Sequence, residues 1–346
     1  MRRQDVHGRS GQGPLRQTAP QRVRVRCRSP VPGTARGLPS ARDPIRPPAA
    51  RRDAHRFSRR HPAHVARPLP HPGERDARGL RPVTLVITAD DLGLSPGVTR
   101  GVLESHRRGV VRSTSLIVTT DSSAEAAALA RMEPDLEVGL HIDLVEGWPV
   151  SDPSAVRSLV DAEGRFLGLA ELTRRLFSRR VRAGELAAEV RAQAALARSW
   201  GILPLAWDSH RHVHLMPPVA RVVGRVARDE GVRWIRRARA PRAWSGPKQT
   251  ALRAASFVSG LAFRGIPGNR WYVDITSERP RLDAAGVALL AAYGGVGEIG
   301  AHPGDADDEL SGSDPLAAAR PRDLDVLTDP LLRTALGSEA VRWRVP

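Results

Sequence analysis

The sequence is poor in cysteine, lysine and aromatic residues, and it contains no long hydrophobic run. Its one cysteine, Cys27, excludes an intramolecular disulfide and a metal site built from several thiolates. Lys248 is the one lysine beside 53 arginines, and aromatic residues make up only 4% of the chain. No segment is long and apolar enough to predict a membrane span. Together these absences favour a cytoplasmic protein.

The positive charge of the chain is concentrated near its N-terminus. The formal net charge is +17, yet residues 1–80 carry 19 arginines against five acidic residues, which leaves the other 266 residues at about +3. Residues 1–80 are rich in Arg, Pro, His and Gly, show no apolar periodicity and lack the apolar core of a secretory signal. We therefore predict a disordered basic extension over 1–80 and one folded domain over 81–346.

This extension has three interpretations. It could be a solvated tail, an upstream segment included by a misassigned translation start, or an arm that binds nucleic acid through its arginines. The first two are favoured, because the near-neutral domain that follows carries the recognisable chemistry.

The domain begins with alternating strand and helix patterns. The stretches "VTLVITA", "STSLIVTT" and "LEVGLHI" are typical of buried strands, and amphipathic helices are predicted between them. Further patterns, from "LAELTRRLFSRR" to the late strand "VGEIGAH", bring the total to six or seven β/α units. This order predicts an α/β fold with a parallel sheet, either a closed or distorted (β/α) barrel or, less favoured, an open doubly wound sheet.

Polar side chains of the types that bind metals recur at predicted strand ends. The four strand ends carry Asp90 and Asp91, then His141, then Asp208 with Ser209 and His210, and finally His302. Five of the six histidines beyond residue 80 lie at such ends. Because the carboxyl ends of parallel strands meet at one side of the sheet, we expect these groups to gather there.

The chemistry of these groups indicates a metal site. Two adjacent carboxylates repel each other unless a cation or a proton relieves them. Imidazole and carboxylate ligands suit Zn²⁺, Mn²⁺, Co²⁺ or Fe²⁺. Because strand side chains alternate in direction, a metal-facing Asp91 would leave Asp90 as a general base or an orienting group. Helix capping, turns or structural histidines explain any one of these strand ends, but all four together require several coincidences.

Four stretches in this order resemble the YdjC-like carbohydrate deacetylases, the family that includes the chitooligosaccharide deacetylases. They are "ITADDLGLSPGVTRGVLESHRRGVVRSTSLIV", "VGLHIDLVEGWPV", "DSHRHVHLMPPV" and "GEIGAHPG", and they extend over about 84–304. The chain looks closest to the branch associated with hopanoid biosynthesis. The resemblance implies an irregular, TIM-barrel-like (β/α) barrel that hydrolyses the N-acetyl group of a sugar with the help of a metal.

The resemblance also implies roles for five residues. Asp91, His141 and His210 would hold one divalent metal ion, Mg²⁺ or Zn²⁺, with Mn²⁺ or Co²⁺ as alternatives. Asp90 would be the catalytic base, and His302 would be a general acid or an oxyanion stabiliser.

Four further residues receive weaker assignments. Asp143 replaces a threonine that many family members have, and it would contact substrate or, as we favour, be solvated. Arg236 lies in "RWIRR", where the family often has a strand end of the type R-x-P-R-E; the arginine is kept here, but the proline and the glutamate are not. Arg236 could orient Asp90 or lie at the surface. His212 and His214 could support the metal ligands, contact substrate or be structural.

The ligand set alone does not identify the bond that is hydrolysed. Another amide or a phosphoester is an alternative to the N-acetyl group, and nucleic-acid binding through residues 1–80 is an alternative of another class. The shortage of aromatic side chains for sugar stacking favours a small N-acetylated sugar or glycolipid over a long polymer. The oligomeric state stays open, with a homodimer as one alternative.

Overall fold

The computed structural model describes most of the chain beyond residue 82. The described residues are 83–239, 241, 247–278, 280, 282–305, 314–336 and 341–342. Cys27 and the basic extension lie outside them, so the disorder of the extension, its boundary at residue 80 and its suggested role as an arm stay predictions.

Strands and helices alternate through the described residues. The strands are β1 Val83–Leu92, β2 Ser113–Leu116, β3 Glu137–Ile142, β4 Ala206–Ser209, β5 Trp234–Ile235, β6 Trp271–Asp274, β7 Val296–Ala301 and β8 Val341–Arg342. The helices are α1 Pro96–Arg107, α2 Ser123–Ala130, α3 Leu169–Phe177, α4 Ala183–Ser199, α5 Pro217–Asp229, α6 Pro247–Ala262, α7 Ile275–Glu278, α8 Ala284–Ala291, α9 Arg320–Thr328 and α10 Pro330–Leu336. Short 3₁₀ segments cover Pro153–Ala155 and His210–Leu215.

The strands form one parallel sheet that curls into an irregular barrel. The strand order is β5-β4-β3-β2-β1-β7-β6, and β8 pairs with the start of β1. The two outer strands are tied together, because Ile235 N–H donates to the Pro267 carbonyl at 3.0 Å and Tyr272 N–H donates to the Arg239 carbonyl at 2.8 Å. The predicted α/β fold and irregular barrel are therefore confirmed, and the open doubly wound sheet is not what forms.

Local sequence explains the β-α-β-α-β opening of the barrel. Ser95 caps α1 by accepting the N–H of Val98, and Pro96 occupies the first turn, where a missing N–H costs nothing. The strands that follow are buried on both faces, as parallel strands covered by helices are. Among the described helices, none combines the length and apolar character that a membrane span requires.

The later part of the barrel contains elements that the sequence patterns did not predict. These are β6, α7, the two helices after β7, and β8. β6 has the sequence "WYVD", which is aromatic and β-branched and therefore typical of a strand. It was missed because it is only four residues long and follows a Gly- and Arg-rich stretch.

Candidate active site

The end of β1 is bulged, and the bulge turns both aspartates toward the same cluster. Ala89 pairs with Thr114 and Leu92 pairs with Leu116, so β1 contains one more residue than β2 over this interval. Asp91 occupies the left-handed region at φ 68°. A non-glycine residue there stores of the order of 1–3 kcal/mol of strain, which is common at functional sites. Regular strand alternation, which we expected to separate Asp90 from Asp91, therefore does not hold here.

Asp91, His141 and His210 come together at the carboxyl ends of β1, β3 and β4. Oδ1 of Asp91 lies 3.3 Å from Nε2 of His141 and 3.1 Å from Nδ1 of His210. All three side chains are buried, and their ligand atoms lie within 4.8 Å of one another. Two imidazoles and one carboxylate at this spacing are a donor set that suits a divalent metal ion.

Each of the two imidazoles also has a carboxylate at its other nitrogen. Nδ1 of His141 lies 2.8 Å from Oδ1 of Asp208, and Ser115 Oγ is 2.9 Å from the same nitrogen. Nε2 of His210 lies 3.3 Å from Oε1 of Glu146. The hydrogen bond with Asp208 fixes the ring of His141, which is usual for histidine ligands in metal sites, whereas Glu146 makes only an ion-pair contact with His210, whose Nε2 has no hydrogen-bond partner among the described residues. The residues therefore fit a metal ion in their local support as well as in their donor atoms.

Asp90 is held by Arg236 through two hydrogen bonds. NH1 donates to Oδ2 at 2.6 Å and NH2 donates to Oδ1 at 2.8 Å. The same guanidinium reaches Asp208 at 2.6 Å and Glu298 at 2.8 Å. All four side chains are buried. Arg236 thus links the carboxylate assigned as base to the carboxylate that orients His141. Of its two alternatives, the position at the surface is wrong, because the side chain is buried, and an orienting role at Asp90 is compatible with the geometry.

His302 faces Asp90 from the end of β7. Its Nε2 lies 3.9 Å from Oδ2 of Asp90, and its Nδ1 is 2.7 Å from the hydroxyl of Thr276. Thr276 in turn donates to Asp323 of α9, and Asp323 also accepts the backbone N–H of His302 at 3.1 Å. Thr276 and Asp323 therefore fix the ring with its Nε2 edge toward Asp90.

Arg320 reaches the cluster from the start of α9. Its NH2 group donates to Oδ2 of Asp91 at 2.8 Å, and its Nε donates to Asp314 at 2.6 Å. The side chain is only 1% exposed. A second buried cation, besides Arg236, thus contacts the carboxylate cluster.

The remaining residues assigned from sequence lie outside the immediate cluster. Asp143 is buried, so the solvated interpretation is wrong; it accepts the N–H groups of Val145 and Glu146 and the hydroxyl of Thr119. His214 is buried between Ser209 and the Arg236 carbonyl, which is a structural role. The His212 ring packs edge-on against Tyr272, with 5.5 Å between ring centroids.

The charges of the cluster shift its proton equilibria strongly. Burial opposes ionisation of Asp91, but Arg320 and the hydrogen bonds from His141 and His210 outweigh it and hold the pKa well below its usual value. Burial likewise opposes protonation of His141, yet Asp208 and Asp91 raise its pKa well above the usual value. In the same way Asp91 and Glu146 overcome burial and raise the pKa of His210 to about 9. Metal ions and protons therefore compete for these imidazoles.

Sequence reasoning missed several residues that complete the cluster. Asp208 was identified at a predicted strand end, but no role was assigned to it. Glu298 lies four residues before His302 on the predicted strand, and alternate residues of a strand face the same side, so its position beside the cluster could have been predicted from the sequence. Arg320, Thr276 and Asp323 had no such signal, because they belong to elements that were not predicted and because arginine is so frequent in this chain.

Comparisons with known proteins agree with this geometry. A family model described as YdjC-like protein matches residues 84–338. A chitooligosaccharide deacetylase of Klebsiella pneumoniae (strain 342) is 32% identical over 261 residues, which cover 75% of this chain and 96% of the relative. A carbohydrate deacetylase of Vibrio parahaemolyticus serotype O3:K6 (strain RIMD 2210633) is 27% identical over 260 residues, which cover 74% and 92%.

A solved structure is also similar to this chain. It is a crystal structure of an Enterococcus faecalis V583 protein described as a candidate for cellobiose-phosphate cleavage, with a TM-score of 0.64 and 25% identity. The match covers 76% of this chain and 97% of that one. With the family match extending over most of the described barrel, the chain belongs to the YdjC-like family.

Proposed function

We propose that this protein is a metal-dependent carbohydrate deacetylase that removes the N-acetyl group from a small N-acetylated sugar, giving acetate and a free amino sugar. One observation carries the proposal. Asp90 and His302 face each other at 3.9 Å directly beside the Asp91, His141 and His210 cluster. The two curated relatives reported above are named as deacetylases of carbohydrate or chitooligosaccharide, and each is matched over more than 90% of its length.

Different residues of the cluster would carry out different parts of the reaction. Asp91, His141 and His210 would hold the divalent ion. When bound, such an ion supplies Lewis acidity, which polarises a carbonyl and lowers the pKa of a water molecule. Imidazole donors suit Zn²⁺, whereas carboxylate and water suit Mg²⁺, so the donor set leaves both metals as alternatives.

Asp90 is placed to accept the proton of the attacking water. Its carboxylate is acceptor-only when ionised, and Arg236 holds both oxygens, so the group stays in one orientation. A water that loses its proton to Asp90 adds to the acetamide carbon, and the C–N bond then breaks. The general base therefore works from a fixed position, which contributes through proximity as well as proton transfer.

His302 is placed to protonate the departing nitrogen. Its Nδ1 is engaged by Thr276, and its Nε2 is directed toward Asp90. A proton given from Nε2 to the nitrogen lets the amino sugar leave as a neutral amine. The base and the acid are thus two different groups at the ends of the neighbouring strands β1 and β7.

An acetate-release assay tests this proposal. The full chain is incubated with N-acetylglucosamine oligomers of increasing length, an N-acetylglucosaminyl glycolipid and a phosphorylated disaccharide, each with Zn²⁺, Mg²⁺, Mn²⁺ or Co²⁺. We expect acetate from the short oligomers and no phosphate from the phosphorylated sugar. Phosphate release without acetate would instead favour phosphoester hydrolysis. The phosphorylated disaccharide is included because the Enterococcus faecalis protein is described as a candidate for cellobiose-phosphate cleavage.

A truncated chain distinguishes the deacetylase function from nucleic-acid binding through residues 1–80. In a chain that lacks residues 1–80, acetate release should persist at the rate of the full chain. Loss of acetate release would show that the basic extension belongs to the catalytic unit, and the division of the chain at residue 80 would then be wrong.

A further inference from the structure

The two carboxylate oxygens of Asp91 have different partners. Oδ1 faces the nitrogens of His141 and His210 at 3.3 and 3.1 Å. Oδ2 accepts a hydrogen bond from NH2 of Arg320 at 2.8 Å. One oxygen therefore belongs to the group of possible metal ligands, while the other is already occupied by a guanidinium.

Arg320 is itself held firmly in this position. Its Nε donates to Asp314 at 2.6 Å, and its own carbonyl oxygen accepts the N–H of Gly304 at 3.4 Å. The helix that begins at Arg320, α9, is anchored to the turn after α1, because Val110 N–H donates to the Leu327 carbonyl at 3.0 Å. The guanidinium thus reaches Asp91 from a part of the fold that is separate from the strands that supply the histidines.

The burial of Arg320 is poorly explained by stability alone. Its third nitrogen, NH1, is buried and has no hydrogen-bond partner in the described part of the chain. An unsatisfied buried donor costs about 1–3 kcal/mol, and buried ion pairs are often no more stabilising than apolar side chains of similar size. A guanidinium retained at that cost beside a backbone-strained Asp91 points to a role at the carboxylate.

We propose that Arg320 is a positioning residue that makes Asp91 a one-oxygen metal ligand. By donating to Oδ2 it keeps that oxygen away from the cation and directs Oδ1 toward the two imidazoles. This inference deepens the proposed function and rests on its metal site, but it does not depend on which bond is hydrolysed.

The competing role for Arg320 is simple repulsion. A fixed positive charge close to a metal ligand disfavours a second cation, so on charge alone its removal would tighten metal binding. The positioning role makes the opposite prediction, because a freed carboxylate can rotate, offer both oxygens or turn away from the histidines. The direction of the change in metal affinity separates the two roles.

Metal affinity measured without substrate tests the proposal. The dissociation constant of Zn²⁺ or Co²⁺ is determined by calorimetry for the full chain and for the variants Arg320→Gln, Arg320→Lys and Asp314→Asn. Arg237→Gln is the matched control, because Arg237 is a largely buried arginine whose hydrogen bonds go to backbone carbonyls such as those of Ile235 and Ile266. The visible absorption of bound Co²⁺, which weakens as coordination number rises, reports how many oxygens Asp91 contributes.

We expect Arg320→Gln to raise the metal dissociation constant by about 10- to 100-fold, the usual effect of removing a group that orients a ligand. Its Co²⁺ absorption should weaken as the second oxygen joins the metal. Arg320→Lys should restore most of the affinity, Asp314→Asn should give an intermediate loss, and the Arg237 control should bind as the unaltered chain does.

Unchanged or tighter binding in Arg320→Gln, with an unchanged Co²⁺ spectrum, would overturn the proposal. If Arg320→Gln fails to fold, Arg320→Lys and Asp314→Asn are compared instead. Weaker metal binding in Asp314→Asn than in Arg320→Lys supports the proposal, and unchanged or tighter binding in Asp314→Asn contradicts it. A chain that binds metal in this pattern but releases no acetate would contradict the proposed function alone. A chain that releases acetate while Arg320→Gln binds metal normally would contradict this inference alone.

Discussion

The two sides of the barrel contribute different chemistry to the cluster. The side formed by β1, β3 and β4 supplies the ligand-type groups Asp91, His141 and His210. The side formed by β5, β7 and α9 supplies the groups that hold or face the carboxylates, namely Arg236, His302 and Arg320. Metal ligation and proton transfer would thus fall to different side chains, and the two sides meet at Asp90, which Arg236 holds, and at Asp91, which Arg320 holds.

Metal binding and turnover should therefore be separable by mutation. A change on the β1, β3 and β4 side should weaken or remove metal binding, whereas a change at Arg236 or His302 should leave the metal and slow the reaction. Arg320 is the exception on the second side, because it donates to Asp91 and its loss should weaken metal binding. Asp90 touches both Arg236 and the edge of His302, so it should behave as a member of the second group although it lies on a strand of the first.

The largest effect is expected for His141→Ala. The variant loses the ligand at the centre of the cluster, so it should retain no stoichiometric metal and release no measurable acetate. Metal content and acetate release are measured on the folded variant. His106→Ala is the control, because His106 is a buried histidine that bonds to the Val111 carbonyl in another part of the barrel. A His141→Ala protein with one metal per chain would show that the ligand assignment is wrong.

Asp90→Asn should separate metal binding from turnover. The amide keeps the size of the side chain but cannot accept the water proton, so kcat should fall by about 10²- to 10⁴-fold, the range for loss of a general base. The metal dissociation constant should stay close to that of the unaltered chain, as calorimetry can show. Full activity in this variant would remove Asp90 from the role of base.

Asp208→Asn should weaken metal binding without abolishing it. Nδ1 of His141 would lose its charged partner at 2.8 Å, and orienting groups of this kind typically contribute 10- to 100-fold to metal affinity. The metal dissociation constant is measured by calorimetry beside that of His141→Ala. Equal loss in both variants would mean that Asp208 is itself a ligand.

Thr276→Val should slow the reaction and leave the metal in place. The change removes the hydroxyl that bonds Nδ1 of His302, so the ring loses its fixed orientation. We expect kcat to fall by about tenfold, less than the roughly 10²-fold that a displaced catalytic group can cost. KM and metal affinity should not change. Thr328→Val, which removes a hydroxyl bonded within α9, is the matched control and should be neutral.

Glu146→Gln should give the smallest effect. Glu146 lies behind His210 much as Asp208 lies behind His141, but its side chain is 44% exposed. Exposed ion pairs contribute about 0–1 kcal/mol, so metal affinity should weaken by less than about fivefold in calorimetry. A loss as large as that of Asp208→Asn would show that the two histidines depend equally on their carboxylates.

The two sides also differ in how well the sequence predicted them. On the β1 to β4 side, strand and helix patterns alternate clearly, and the strand ends carry residue types such as histidine that are rare in this chain. The strand ends therefore predicted a metal site, the family resemblance supplied the three ligands, and the structure brings Asp91, His141 and His210 together.

The other side offered weaker signals. β6 has only four residues and follows a Gly- and Arg-rich stretch, so it was not predicted. Arg320 and Asp323 act from a helix beyond the last recognised motif, and nothing local distinguishes Arg320 from the other arginines. The bulge at Asp91 was also out of reach, because its left-handed backbone depends on tertiary contacts with Arg320 and the histidines. The suggested link to hopanoid biosynthesis stays a prediction.

Metal removal followed by reconstitution tests most directly whether acetate release depends on a metal ion held by Asp91, His141 and His210. The full chain is treated with a chelator, dialysed and assayed for acetate release from a short N-acetylglucosamine oligomer while one divalent metal is titrated back. We expect no acetate release from the metal-free protein and full recovery of the rate of acetate release at one metal ion per chain. His141→Ala should show no recovery. Acetate release that persists in the fully stripped protein would contradict this dependence on metal.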